Sequence, residues 1–476
     1  MLQFYNTLTR KKETFKPVEK GKVRLYCCGP TVYWFQHVGN LRTYVNEDVF
    51  RRVLEMDGFQ VKHVMNLTDV GHLTSDADSG EDKMDKAAKR ENKSPQEIAD
   101  FYAKQFFEDC QKLNIQKPHI VCPATKHIPE MISLIQKLEK KGFTYETAGG
   151  IFFDTSKFKN YAKFAKLNLQ GQKTAVREEV IEEKEKRNPS DFALWFLNKP
   201  NHILQWDSPW GKGFPGWHIE CAAMSMKYLG ETLDIHCGGI EHIPIHHTNE
   251  IAEAEAATGK TFSNYWMHNE WLMFKGEKMA KSGGGIATLS ELEQKGFKPA
   301  ELRFFYLQGH YRSGIEFSEE AVKEAGKKLE KVQNFCDRML ELEKGSEKGE
   351  EKTVFPLVQT ADKAFFAALD DDFNVPIALH ALFDLMNKTN VLADAGKLGS
   401  KDASGVLAFL KKADKILAVL RFERAEIPEE ILKLVDERES ARKAKNFKES
   451  DRLRDLIREK GFTVDDSAQG SVVKKA

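Results

Sequence analysis

The stretch Lys22–Thr68 constrains this chain more than any other. Residues Lys22–Gly29 (KVRLYCCG) alternate as a strand does, with Val23, Leu25 and Cys27 on one side and Arg24, Tyr26 and Cys28 on the other. A Gly29-Pro30 turn follows, then a helical stripe of Leu41, Tyr44, Val45, Val49, Phe50, Val53 and Leu54 ending near Asp57-Gly58, then a second strand over Val61–Thr68. Strand, turn, helix and strand in so short a span make the right-handed crossover unit of a parallel sheet. The natural place for a ligand in such a sheet is the carboxyl end of the first strand, where Cys28–His37 lie.

The 476 residues have room for several domains, and 41% hydrophobic with 30% charged residues is a globular and not a disordered composition. Lys plus Arg and Asp plus Glu are each 72, so no global positive field attracts nucleic acid, and an RNA partner has to be held by local basic patches. Met1–Pro17 has no apolar signal region and the chain has no uncharged apolar run of ~18 residues, which predicts a cytoplasmic protein without a membrane span. Seven scattered cysteines, an odd number, do not suggest a disulfide framework and read as core thiols or metal ligands.

From about Lys117 to Pro200 the pattern changes to short Phe- and Lys-rich stretches and a charged run, Arg177–Arg187, expected as an insertion. The crossover pattern then resumes, with a helical stripe in Gly216–Gly230, a strand at Thr232–His236 and a helix at His246–Thr258. Ser282–Gly285 reads as the most flexible connection. Beyond Ser318 nearly everything is predicted helical, broken at Glu343–Thr353 and at Pro428.

Three groups of residues could carry chemistry. His246 and Glu250, four apart at a helix start, share one face and could ligate a single zinc, with Cys28 and Cys221 as possible thiolates. The same residues also suit a surface contact and two small core thiols. His37-Val38-Gly39-Asn40 opens a helix, whose N-terminal N–H groups favour phosphate, and Lys278-Met279-Ala280-Lys281-Ser282 precedes three glycines on a loop that could close on a triphosphate.

Taken together, Cys28-Gly29-Pro30-Thr31-Val32-Tyr33, His37–Asn40, Gly216-Trp217-His218-Ile219-Glu220-Cys221, His246-His247-Thr248-Asn249-Glu250 and Lys278–Ser282 resemble a class I aminoacyl-tRNA synthetase, in particular the cysteinyl-tRNA synthetase family. The nucleotide motifs depart from the class patterns HIGH at Val38 and Asn40 and KMSKS at Ala280. The resemblance implies an α/β fold: a Rossmann-like parallel-sheet catalytic domain with an insertion, followed by an all-α bundle and a small C-terminal anticodon-binding domain. It divides the chain into catalytic halves at residues 1–117 and 201–267, an insertion at 118–200, a stem-contact region at 268–316, the bundle at 317–425 and the anticodon domain at 426–476.

The same resemblance implies that Cys28, Cys221, His246 and Glu250 hold one Zn²⁺, which binds thiols strongly and alcohols weakly and so separates cysteine from serine. Thr31, Thr68, Trp217 and His236 would line the amino-acid pocket, His37, Asn40, Lys278 and Lys281 would serve ATP and its Mg²⁺, and Arg442, Phe447, Asp451 and Asp466 would contact tRNA. The implied reaction joins L-cysteine to tRNA(Cys) through an adenylate, in a monomer. Cys27 and Cys237 are left out of the metal set, and His242 and His247 are the residues most easily mistaken for ligands.

A cysteine:amino-sugar ligase of the mycothiol type shares the catalytic half but needs no tRNA-reading tail. Here Phe365–Asn390 resembles the synthetase bundle and Val435–Ser471 the anticodon domain, and Arg438–Lys460 carries nine Lys or Arg against five Asp or Glu. That excess could track phosphates with Phe447 stacking on a base, or simply be a solvated helix face. A zinc hydrolase lacks its H-E-x-x-H arrangement here, and an RNA-binding paralogue would have lost the nucleotide motifs.

Overall fold

The computed structural model describes residues 1–70, 83–166, 186–199, 202–274, 277–278, 287–345, 354–423, 428–467 and 470–475. An N-terminal hairpin, β1 (Gln3–Asn6) and β2 (Lys11–Thr14), leads into the expected crossover unit: β3 (Lys22–Cys27), α1 (Val38–Met56) and β4 (Gln60–Leu67). Gly29 at its turn is forced by contact, because a Cβ there would lie 1.8 Å from the Asn66 carbonyl oxygen. Next come α2 (Lys83–Glu91), α3 (Pro95–Lys112), β5 (Ile120–Pro123) and α4 (Ile128–Lys140). A four-stranded antiparallel sheet is built from β6 (Thr144–Thr147), β7 (Gly150–Phe153), β8 (Phe192–Leu197) and β9 (Gly213–Pro215).

The chain then returns through α5 (Trp217–Leu229), β10 (Leu233–Gly239), α6 (His246–Thr258) and β11 (Ser263–Asn269), completing a five-stranded parallel sheet in the order β11-β10-β3-β4-β5. The boundary expected after residue 117 precedes β5, which pairs with β4 in this sheet, and the one expected after residue 200 falls between β8 and β9 of the antiparallel sheet. Helices cover both faces of the parallel sheet. Val23, Leu25 and Cys27 enter one core with α1, whereas Tyr26 and Cys28 enter a second with α4, α5 and α6. The alternation read from the sequence holds, and the side carrying Arg24 is buried too because a parallel sheet is covered on both faces.

A small sheet of β12 (Leu272–Phe274), β13 (Glu277–Lys278) and, after α7 (Leu289–Gln294) and α8 (Pro299–Leu307), β14 (Ile315–Glu316) follows. Arg42 of α1 clamps this region: Nη1 donates to the Glu270 and Trp271 carbonyls at 2.8 and 2.7 Å, and Nη2 to those of His310 and Ser313 at 3.0 and 2.6 Å. The bundle comprises α9 (Glu319–Glu343), α10 (Phe355–Asp370), α11 (Val375–Asp394) and α12 (Ser400–Leu417), and its apolar faces are continuous with the core under α1.

The last unit has its own core of Ile431, Val435, Ile457, Phe462 and Val464. It pairs α13 (Glu429–Lys443) and α14 (Phe447–Glu459) with an antiparallel hairpin, β15 (Phe462–Ser467) and β16 (Gly470–Lys475). The helical expectation for the tail did not anticipate this hairpin. Its alternation over Phe462–Ser467 is short and half charged, and only packing of Phe462 and Val464 on α13 and α14 gives it a buried face. Among the described residues no helix is long and apolar enough to cross a membrane.

Candidate metal and nucleotide site

The parallel sheet brings residues far apart in sequence to its carboxyl edge. Cys28 follows the last residue of β3 and donates its backbone N–H to the Cys237 carbonyl at 3.1 Å, so its thiol faces away from Cys27 and toward α5 and α6. Cys221 lies on the second turn of α5, and His246 and Glu250 occupy successive turns of α6. Ligand atoms of Cys28, Cys221, His246 and Glu250 all lie within 4.8 Å of one another, and all four residues are buried. The i, i+4 spacing places His246 Nε2 2.9 Å from Glu250 Oε1.

A second grouping shares two of these residues. Cys28, His236, His247 and Glu250 also lie within 4.8 Å, with Cys28 Sγ 3.6 Å from His236 Nε2 and 3.3 Å from His247 Nε2. His236, expected on the amino-acid pocket, therefore sits against the cluster, 3.5 Å from Glu250 Oε2 and stacked on Trp266 at 4.4 Å. His247 is held from behind, its Nδ1 2.8 Å from His268 Nε2, whose Nδ1 in turn lies 2.8 Å from Thr7 Oγ1. This imidazole chain to the N-terminal hairpin was missed in the sequence. The adjacent His246-His247 pair was its only signal there.

The electrostatics favour a cation at this point. Glu250 is completely buried, its oxygens meet the imidazoles of His246 and His236 without a well-aligned hydrogen bond, and burial raises its pKa far above the usual carboxylate range. A hydrogen bond from Cys28, helped by His246, draws Cys221 down to about 7, whereas burial holds the Cys28 thiol well above its usual range. Burial and the neighbouring rings keep His236 and His247 neutral, with pKa values well below the ordinary imidazole range. A divalent cation would neutralise the carboxylate and stabilise both thiolates, so this donor set fits a soft or borderline metal.

The remaining expected pocket residues surround the cluster unequally. Trp217 stacks on His246 with ring centroids 4.3 Å apart and forms one wall. Thr31 and Thr68 meet in an isolated parallel bridge. Thr68 is buried and donates its hydroxyl to Glu220 Oε2 at 3.2 Å while accepting from Asn66 Nδ2 at 3.0 Å. Its side chain is thus engaged in holding the strand ends.

His37 caps α1, its Nδ1 accepting the Asn40 N–H at 3.2 Å, and Val38 donates its N–H to the Ala287 carbonyl at 2.9 Å. Two of the N–H groups expected to meet phosphate are therefore engaged within the protein. The same contacts tie the carboxyl end of the Lys278–Ser282 loop region to the His37–Asn40 turn, reinforced by a bridge between His37 and Thr288. Lys278 pairs with Met273 in β13; Lys281 lies outside the described residues.

Arg442 and Phe447 flank the turn between α13 and α14, with Asp451 one turn into α14, and all three are exposed. Phe447 is 64% exposed, an apolar ring left in solvent at the start of a helix. Asp466 pairs with Ser471 across the terminal hairpin.

A family model described as "tRNA synthetases class I (C) catalytic domain" matches residues 14–327, and one described as "DALR domain" matches residues 364–421. The chain is 45% identical over 502 residues to the cysteine–tRNA ligase of Treponema denticola, covering 100% of this chain and 99% of the relative. It is 43% identical to that of Chlorobaculum tepidum over 491 residues, with the same coverage. Among solved structures, Mycobacterium tuberculosis methionyl-tRNA synthetase in complex with methionyl-adenylate superposes with a TM-score of 0.60 at 15% identity, covering 84% of this chain and 90% of that one. The Agrobacterium radiobacter K84 agnB2 LeuRS–tRNA–LeuAMS complex does so at 0.61 and 12%, covering 85% of each, so these two share the fold.

Proposed function

The chain belongs to the cysteine–tRNA ligases, within the class I tRNA synthetases, and on that premise we propose that it activates L-cysteine with ATP and transfers it to tRNA(Cys). The observation that carries the specificity is the buried Cys28–Cys221–His246–Glu250 cluster at the carboxyl edge of the parallel sheet. These residues would hold one Zn²⁺, which when bound supplies a borderline-soft Lewis acid that takes a thiol in preference to a hydroxyl. Shape alone separates isosteres by only ~1–3 kcal/mol, too little for cysteine against serine.

Cys221 is preferred to His236 and His247 as a ligand because a second thiolate brings negative charge and a soft donor to the cation, which a neutral imidazole does not. His236 and His247, 3.6 and 3.3 Å from Cys28 Sγ, would then orient that thiol. Trp217, stacked on His246, would close the pocket and exclude water, and Thr31, Thr68 and His236 would line it. His37 and Asn40 would position ATP with Mg²⁺, and Lys278 and Lys281 would meet charge on the phosphates as the substrate carboxylate attacks; positioning and electrostatics carry the step. Arg442, Phe447, Asp451 and Asp466 would read tRNA. We read the protein as a cytoplasmic monomer. The mycothiol-type alternative is not favoured, since the cysteine–tRNA ligases match along the full length, C-terminal part included.

The test is cysteine-dependent ATP–pyrophosphate exchange, tRNA charging and zinc content on wild type, Cys221→Ser and His247→Gln. Wild type should exchange with cysteine and not serine, charge tRNA and carry one zinc. Cys221→Ser should lose metal and cysteine selectivity while His247→Gln keeps its zinc. Zinc lost from His247→Gln and retained by Cys221→Ser would replace the ligand set by the second grouping, and exchange without charging would point to a different acceptor.

A further inference from the structure

On the α1 side of the sheet lies a cavity of about 960 Å³ that shares no lining residue with the metal cluster or the His37–Asn40 turn. It is within the size range of small-molecule sites. Its walls come from α1, β4 and α3, with Asp414, Ala418 and Leu420 closing it from the end of α12 and beyond, so an occupant would touch both the catalytic sheet and the bundle.

Two of its lining side chains stand out. Glu47 of α1 and His63 of β4 are 2% and 4% exposed; the only polar side chain that reaches the Glu47 carboxyl is the weak Cys27 thiol, no well-aligned hydrogen bond satisfies either of its oxygens, and neither His63 ring nitrogen has a hydrogen-bond partner among the described residues. Buried polar groups are nearly always hydrogen-bonded, and each one left without a partner costs about 1–3 kcal/mol. Burial keeps Glu47 protonated and His63 neutral.

The two arginines on the same walls are already engaged. Arg51 donates to Glu55 Oε1 and to the Lys117 carbonyl, both at 2.8 Å. Arg52 donates to Asp48 Oδ2 at 2.7 Å and to the Lys415 and Asn114 carbonyls at 2.8 and 2.7 Å. An anion would find no unengaged guanidinium, and a cation no ionised carboxylate at Glu47. Tyr44, Met65 and Phe106 supply flat and apolar surface.

We propose that this cavity binds a small neutral planar heterocycle bearing an amine beside a ring nitrogen, the edge of an aminopurine or aminopyrimidine, with Glu47 pairing to that edge and His63 making a further hydrogen bond. A protonated carboxyl presents one O–H donor beside one C=O acceptor. The ring nitrogen accepts from the first while the amine donates to the second. The apolar walls cover the faces of the ring. This site is separate from the activity proposed above and does not depend on it.

The test is isothermal titration calorimetry of adenine against the full-length protein saturated with ATP, so that the nucleotide site is filled. Wild type should take up one adenine with a Kd on the order of 0.1–1 mM, as expected for a fragment of this size. Purine, which lacks the amine, should bind about 2- to 13-fold more weakly, the loss of about one hydrogen bond. Glu47→Leu, which removes a buried carboxyl held by no more than the weak Cys27 thiol, should fold and lose adenine affinity by at least ~10-fold, and His63→Leu should lose part of it. Absence of saturable binding to ATP-loaded wild type, equal affinity for adenine and purine, or undiminished affinity in Glu47→Leu would each overturn the assignment.

Discussion

Arg303 of α8 holds a guanidinium nitrogen 2.7 Å from Asp48 Oδ2 of α1, and neither side chain reaches solvent. Arg303 also donates to the Leu417 and Leu113 carbonyls at 2.6 and 2.8 Å, so one cation joins α1, α8, the end of α3 and the end of α12. Removing one member of a buried ion pair leaves an uncompensated charge, typically a loss of about 3–5 kcal/mol. Because Arg52 Nε remains 2.7 Å from the same carboxylate oxygen, Arg303→Met should fall near the lower end, ~3 kcal/mol, in urea unfolding. A loss under ~1 kcal/mol would show that the pair behaves as a solvated contact.

Metal removal should leave the buried Glu250 carboxylate with the His246 and His236 imidazoles beside it in place of a cation. Chelation of the zinc-loaded wild type should lower its Tm, because a ligand that binds only the folded state stabilises by ~2.7 kcal/mol at a hundredfold excess over Kd. Glu250→Gln removes that buried acid, so the metal-free variant should unfold no lower than metal-free wild type, yet gain nothing when zinc is restored. A variant that responds to zinc like wild type would take Glu250 out of the ligand set.

Acid sensitivity should trace in part to His63. Burial, with Arg51 and His119 nearby, depresses its folded pKa to about 3 from an ordinary 6.5. The unfolded chain then binds the extra proton first, so this contribution to stability is intact above pH ~6.5 and is lost as pH falls toward 3, by up to ~4–5 kcal/mol. His63→Leu should flatten the unfolding free energy over that window, measured by denaturant titration at a series of pH values. A slope equal to wild type would mean that the imidazole is hydrated.

If Phe447 contacts tRNA as proposed, its removal should separate the two half-reactions. Stacking of a base on an aromatic ring is worth ~1–3 kcal/mol, so Phe447→Ala should raise the KM for tRNA about 5- to 150-fold in charging while ATP–pyrophosphate exchange stays unchanged. Because the ring is largely in solvent, the variant should fold normally. Equal charging by both proteins would leave Phe447 as plain surface.

The crossover unit was legible because its signals are local. Alternation in Lys22–Cys27, the stripe through Leu41–Leu54 and the glycine turn recur in the structure within a few residues. His246 and Glu250 were legible as a pair for the same reason, since helical spacing alone places them together. The terminal hairpin and the order of strands in the antiparallel sheet were not. Their pairing energy lies between segments, and Gly150–Phe153 meets Phe192–Phe196 across a long span of sequence.

The sequence by itself determined the family, the parallel-sheet class and four residues of metal-ligating type, because motif identity, periodicity and side-chain chemistry are properties of the chain. Only the tertiary structure decided that the sheet edge gathers Cys28, Cys221, His246 and Glu250 within 4.8 Å, that His236 and His247 crowd the same point, and that buried Glu47 and His63 line one cavity together. Each of those is a relation between strands and helices far apart in the chain. Distances of that kind are fixed by strand order and by which face each helix buries, and no local pattern encodes them.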